Sequence, residues 1–122
     1  DHPQALNYIG YTYADRGIQL DEAEKLIKRA LELKPDDGYI TDSLGWVYFK
    51  KGEMEKAVAE LEKAHQLSPE DPVIAEHLGD VYGKQNQVEK AIQMYERSLK
   101  LDPKKTEVQD KLKKLRPEKK RP

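Results

Sequence analysis

Three histidines and a dense set of carboxylates are the residues of this 122-residue chain that could do acid–base or metal chemistry. His2, His65 and His77 form no HExxH or other tightly spaced ligand pair. His65 and His77 lie twelve residues apart, on separate predicted helices, and read as ordinary helix-surface histidines. The carboxylate pairs Asp36-Asp37 and Glu70-Asp71 fall at predicted helix starts, where capping accounts for them. With no cysteine, a disulfide framework, a thiolate metal site and a thiol nucleophile are excluded. No GxGxxG, phosphate-binding loop or nucleophile elbow is present. The expectation is a chain without catalytic residues, metal or cofactor.

Chemistry thus gives way to recognition, and the elements that position recognising side chains are set by an internal repeat. Gly10, Gly45 and Gly79 are 35 and 34 residues apart, and Tyr13, Tyr48 and Tyr82 keep the same spacing. Ala23, Ala57 and Ala91 follow at 34 and 34, as do Ala30, Ala64 and Ser98, and Pro35, Pro69 and Pro103. The one-residue slip falls between Gly17 and Ala23, in a predicted turn, where an insertion costs little.

Within each copy the apolar residues recur at helical spacing: Ala57-Val58, Leu61, Ala64 and Leu67, then Ala91-Ile92, Tyr95, Ser98-Leu99 and Leu101. Gly17 and Gly52 permit tight turns midway, and the three prolines end the copies. Helices are predicted near 4–16, 21–34, 38–51, 54–67, 72–85 and 88–101. The glycines at 10, 45 and 79 then stand mid-helix, each at a cost of about 1 kcal/mol relative to alanine. Close approach of the partner helix through Ala23, Ala57 and Ala91 is the expected compensation.

The segments Leu44-Gly45-Trp46-Val47-Tyr48 with Ala57, Leu61, Ala64 and Pro69 resemble the tetratricopeptide repeat (TPR). So do Leu78-Gly79-Asp80-Val81-Tyr82 with Ala91, Tyr95 and Pro103, and Ile9-Gly10-Tyr11-Thr12-Tyr13 with Ala23, Ile27, Ala30 and Pro35. The family's frequent early Trp is here Leu6, Thr41 and Ala75. The stretch from Asn7 to Tyr48 is also similar to the C-terminal repeats of bacterial multi-TPR proteins, some of them outer-membrane lipoproteins. The resemblance implies an all-α, right-handed α-solenoid of three helix–turn–helix repeats plus a C-terminal capping helix. As one domain over 1–122, it divides into repeat 1 (3–35, with the turn insertion), repeat 2 (38–71), repeat 3 (72–103), the cap (104–116) and a basic tail (117–122).

In this family the first helices line a concave groove that holds an extended or helical peptide. Carried over, the groove residues are Asn7, Tyr11 and Asp15; Tyr39, Asp42, Ser43, Trp46, Phe49 and Lys50; and Val73, Glu76, His77, Asp80 and Lys84. Asp110 and Lys114 of the cap extend them. Tyr11, Tyr39, Trp46 and Phe49 would be apolar anchors, and Asp42, Glu76 and Asp80 an acidic side suited to a basic partner. The plainer alternative is that Trp46 and Phe49 only pack between repeats. The carboxylate clamp of Hsp70/Hsp90-tail binders is absent, because its places hold Asn7, Tyr11, Ser43, Val73 and His77.

Charge separates the ends. Residues 1–103 carry 13 basic and 20 acidic side chains, whereas residues 104–122 carry 9 and 3. Val108, Leu112 and Leu115 form one stripe of the cap, and Lys113 and Arg116 stand where a fourth repeat would place Gly and Tyr. Nucleic-acid binding through 104–121 is disfavoured, since this end has no aromatic residue for base stacking. The first helix begins with Ala5, Leu6, Tyr8 and Ile9 and lacks a polar screen, a face suited to upstream repeats or self-association. Three functions therefore stand in order: a peptide-binding module, an assembly segment of a longer array, and a weak polyanion binder. No uncharged run approaches the roughly 18 apolar residues of a membrane span, and Asp1-His2-Pro3 is no signal peptide. The bacterial likeness implies a cytoplasmic or a periplasmic, outer-membrane-associated setting, between which the sequence does not choose.

Overall fold

The computed structural model describes residues 2–116. The basic tail expected over 117–122 lies outside the described residues. Seven helices follow in order: α1 (Pro3–Arg16), α2 (Leu20–Leu33), α3 (Gly38–Lys51), α4 (Met54–Leu67), α5 (Pro72–Lys84), α6 (Val88–Leu101) and α7 (Thr106–Leu115). Among the described residues there is no strand, and no helix is long and apolar enough to cross a membrane.

The punctuation expected from sequence sets the helix ends. Asp37 accepts hydrogen bonds from the Tyr39 and Ile40 backbone N–H groups at 2.9 and 3.0 Å, and so starts α3. Asp71 does the same for Val73 and Ile74 at 2.8 and 3.0 Å, and so starts α5. Gly17 and Gly52 close α1 and α3 in the left-handed conformation, at φ of 70° and 83°. Asn86 occupies the matching column of the third copy at φ 62°, a region asparagine tolerates better than most residues. The extra residue of the first turn leaves Gln19 at φ 48° immediately before α2.

Helices pack as pairs, α1 on α2, α3 on α4 and α5 on α6, and α7 docks on α6. The first helices also touch in series, α1 to α3 and α3 to α5, so they share one side of the stack. The core runs along the pair interfaces through Ile27, Val47, Leu61, Val81 and Val108, all fully buried. Each such side chain is worth about 1.5–3 kcal/mol of burial.

The mid-helix glycines are positions of close approach, but the facing side chains differ from expectation. A Cβ on Gly10 would lie 2.6 Å from Ile27, on Gly45 2.6 Å from Leu61, and on Gly79 2.7 Å from Tyr95. Ala23 contributes only its carbonyl oxygen at 3.1 Å, and Ala91 instead faces Gly83. Side chains of one helix cover the turn N-terminal to their own Cα, so the residue four positions after each alanine reaches the glycine. Ser98, the polar member of the Ala30 and Ala64 column, is fully buried and donates to the Pro72 carbonyl at 2.7 Å.

Candidate functional site

The first helices bring together a column of rings. The Trp46 indole of α3 stacks on the His77 imidazole of α5, with centroids 3.9 Å apart and planes 18° apart. Phe49 stacks on Trp46 at 4.7 Å, and Tyr11 of α1 lies against His77 at 6.2 Å. Trp46 Nε1 donates to Asp15 Oδ1 at 3.3 Å, and Lys50 Nζ sits 5.5 Å from the indole centroid. Trp46 is 7% exposed and His77 6%, so both serve the seam between repeats. Phe49 is half-buried and Lys50 exposed. His77, expected on the surface, is buried because its ring closes the gap between Trp46 and Tyr11.

Each carboxylate of the expected acidic side already faces a basic side chain of this chain. Asp42, itself buried, lies 2.9 Å from His77 Nδ1. Glu76 binds Lys105 at 3.3 Å and Lys111 at 2.7 Å. Asp80 binds Lys111 at 3.0 Å and accepts from the Tyr95 hydroxyl at 2.6 Å. Burial alone would lower the basicity of His77, but Asp42, with the charges of Asp80 and Glu76, raises it above the ordinary 6.5. Burial would raise Glu76, and Lys111 and Lys105 outweigh it and hold the carboxyl below its usual range. Burial, then Asp15, Asp42 and Glu76, push the Tyr11 hydroxyl upward, so it stays protonated. The acidic side expected to draw a basic partner is thus neutralised from within, largely by α7.

An open cleft of about 520 Å³ lies beside this column, between α3, α5, α6 and α7. From the expected set it gathers Trp46, Phe49, Lys50, Asp80, Lys84 and Lys114. Tyr39 is 57% exposed but stands apart, lining a depression with Leu67, Ser68 and Pro69 at the α4–α5 turn. Asn7 is half-buried on α1, and its Oδ1 is sealed without a hydrogen-bond partner. Ser43 is buried and returns its hydroxyl to the Tyr39 carbonyl, whereas Val73 is exposed. Sequence reasoning missed Gly83, Tyr95, Lys111 and Leu115 as cleft residues. The column Ile27, Leu61, Tyr95 carried a signal, an aromatic with a polar tip replacing two aliphatics.

Among the described residues no group of three or more His, Asp or Glu side chains could hold a metal ion. His65 is half-buried with an unpartnered Nδ1, and burial and Arg97 lower its basicity. The described lining of the cleft holds no serine, threonine, cysteine or histidine.

Comparison with known proteins agrees with this reading of the fold. Profiles described as tetratricopeptide repeat match residues 14–72 and 48–115. A TPR repeat-containing protein of Pseudomonas aeruginosa is 46% identical over 57 residues, which are 47% of this chain and 10% of that protein. The chain thus spans about a tenth of that curated relative. The first TPR of Spaghetti (RPAP3) bound to an HSP90 peptide, SRMEEVD, superposes with a TM-score of 0.84 at 22% identity, over 93% of this chain and 89% of the other. An O-GlcNAc transferase of Thermobaculum terrenum superposes with a TM-score of 0.82 at 23% identity, over 95% of this chain and 23% of the other. Three helical pairs in register, their glycine and alanine columns and these matches place the chain in the tetratricopeptide repeat family.

Proposed function

We propose that the chain is a non-catalytic protein-interaction module that takes a peptide or protein segment along the side lined by α1, α3, α5 and α7. The observation that carries this reading is the open cleft beside Phe49, floored by rings already fixed in place by the Trp46–His77 stack. Such a surface loses little entropy on binding. TPR domains are protein-interaction modules, and the RPAP3 neighbour is described as bound to an HSP90 peptide. The clamp positions of peptide-tail binders still hold Asn7, Tyr11, Ser43, Val73 and His77 here, with Ser43 and His77 buried, so a different geometry is proposed for this chain.

The anchors divide by exposure. Phe49 and Lys50 present themselves to a partner, with Lys84 on the cleft wall and Tyr11 farther along, whereas Tyr39 stands apart at the α4–α5 turn. Trp46, Asp42 and His77 hold the frame from beneath. Affinity capture with wild type and Phe49→Ala, checked by circular dichroism, tests the reading. Loss of captured protein at unchanged helicity supports it; equal capture by both moves the site off this face.

A second reading is assembly through α1. Tyr8 is 73% exposed and Ile9 43%, beside half-buried Leu6, which makes an apolar patch on the outward face of that helix. Sedimentation at several concentrations distinguishes it, since a monomer throughout would remove self-association by that patch.

A further inference from the structure

The rim of the cleft carries the opposite charge from the one expected of this face. Lys50 comes from α3, Lys84 from α5 and Lys114 from α7, and all three are exposed at one opening. None has a carboxylate partner among the described residues. The only carboxylate among the described residues of the cleft wall, Asp80, is taken up by Lys111 and by the Tyr95 hydroxyl. Beneath the rim, Phe49, Gly83, Tyr95 and Leu115 make an apolar floor. Gly83 contributes no side chain there, and a Cβ on it would face Ala91 of α6 at 3.9 Å.

We propose that this cleft binds an acidic peptide segment of a partner protein, seating one aliphatic or aromatic side chain on the floor and placing Asp or Glu side chains on either side against Lys50, Lys84 and Lys114. The inference rests on the groove reading above and specifies its partner. Charge complementarity carries it: three cations from three helices converge without internal counter-charges, while the cap spends Lys105 and Lys111 on Glu76 and Asp80. Such rim charges act chiefly on encounter rate and selectivity, and their effect falls with salt. The floor supplies the part of the affinity that salt does not remove. A nucleic acid is the poorer fit. Three cations around one pocket are too few for the phosphate stripe that sustains such binding, and the rings of the cleft are already engaged, Phe49 stacked on Trp46 and Tyr95 hydrogen-bonded to Asp80.

The test is selection from a phage-displayed library of random 16-residue peptides on the full chain, beside Phe49→Ala and the triple reversal Lys50→Glu, Lys84→Glu, Lys114→Glu. Wild type is expected to enrich Asp and Glu flanking a Leu, Ile or Phe. A selected peptide should bind the triple variant at least tenfold more weakly, and oligo-dT should not displace it. Enrichment of basic peptides that is lost with Phe49→Ala would overturn the charge inference and leave the groove reading standing. Peptides indifferent to both variants would overturn both. Competition by oligo-dT at equal concentration, or no enrichment, would also sink the inference.

Discussion

Asp42 on α3 and His77 on α5 meet at 2.9 Å while both are more than nine-tenths buried, so a buried carboxylate–imidazole contact ties the second repeat to the third. It lies under the Trp46 ring and beside Tyr11, so α1, α3 and α5 meet at this pair.

This pair sets a pH dependence. The folded chain holds the His77 proton more tightly than the unfolded one, because Asp42 of α3 and Asp80 and Glu76 of α5 face the ring and outweigh its burial. The resulting stability is complete below the ordinary 6.5 and is lost as pH rises through the higher folded value. Melting temperature is expected to fall over that window, and His77→Gln to flatten the slope. Removing one partner of a buried pair costs about 3–5 kcal/mol, so Asp42→Ala should be markedly unstable in urea titration.

Gly45 and Gly83 give opposite signs for the same substitution. A Cβ at 45 meets Leu61 at 2.6 Å, so Gly45→Ala is expected to destabilise by about 1–3 kcal/mol from overpacking, despite a better helix propensity. At 83 the nearest atom is at 3.9 Å, so Gly83→Ala should stabilise by up to about 1 kcal/mol. Chemical denaturation of the two variants side by side reads the difference.

Trp46 and Phe49 should separate in the same assay. Trp46 is almost sealed and holds the seam, so Trp46→Ala is expected to cost about 3–5 kcal/mol. Half-buried Phe49 should cost roughly half as much or less on truncation, and the fold should persist at room temperature.

Lys111 fastens the cap to the third repeat through Glu76 and Asp80. Lys111→Met leaves two half-buried carboxylates short of a partner, at about 1–3 kcal/mol. Hydrogen exchange should show α7 amides opening faster, with α1 to α4 unchanged.

The fold was legible because it repeats. One mid-helix glycine is ambiguous, but Gly10, Gly45 and Gly79 in register with Ala23, Ala57 and Ala91 fix six helices to within a residue. Which side chain fills the space above each glycine was less legible, since it depends on the direction in which Ile27, Leu61 and Tyr95 lean. The charge of the expected groove face was misread. Asp42, Glu76 and Asp80 were expected on one face, yet their partners His77, Lys105 and Lys111 lie 29 to 35 residues away, on α5, at the start of α7 and on α7. Counting charges along one helix cannot see that pairing. The exposure of Tyr39 and burial of His77 likewise follow from how neighbouring pairs stack.

Site-specific photo-crosslinking tests the central claim most directly. A benzoylphenylalanine is placed at Phe49, on the cleft, or at Lys63, an exposed position on α4 outside the cleft lining, and each chain is irradiated with its captured partner. The account predicts a crosslinked adduct from position 49 and none from position 63. An adduct from 63 with none from 49 would contradict it.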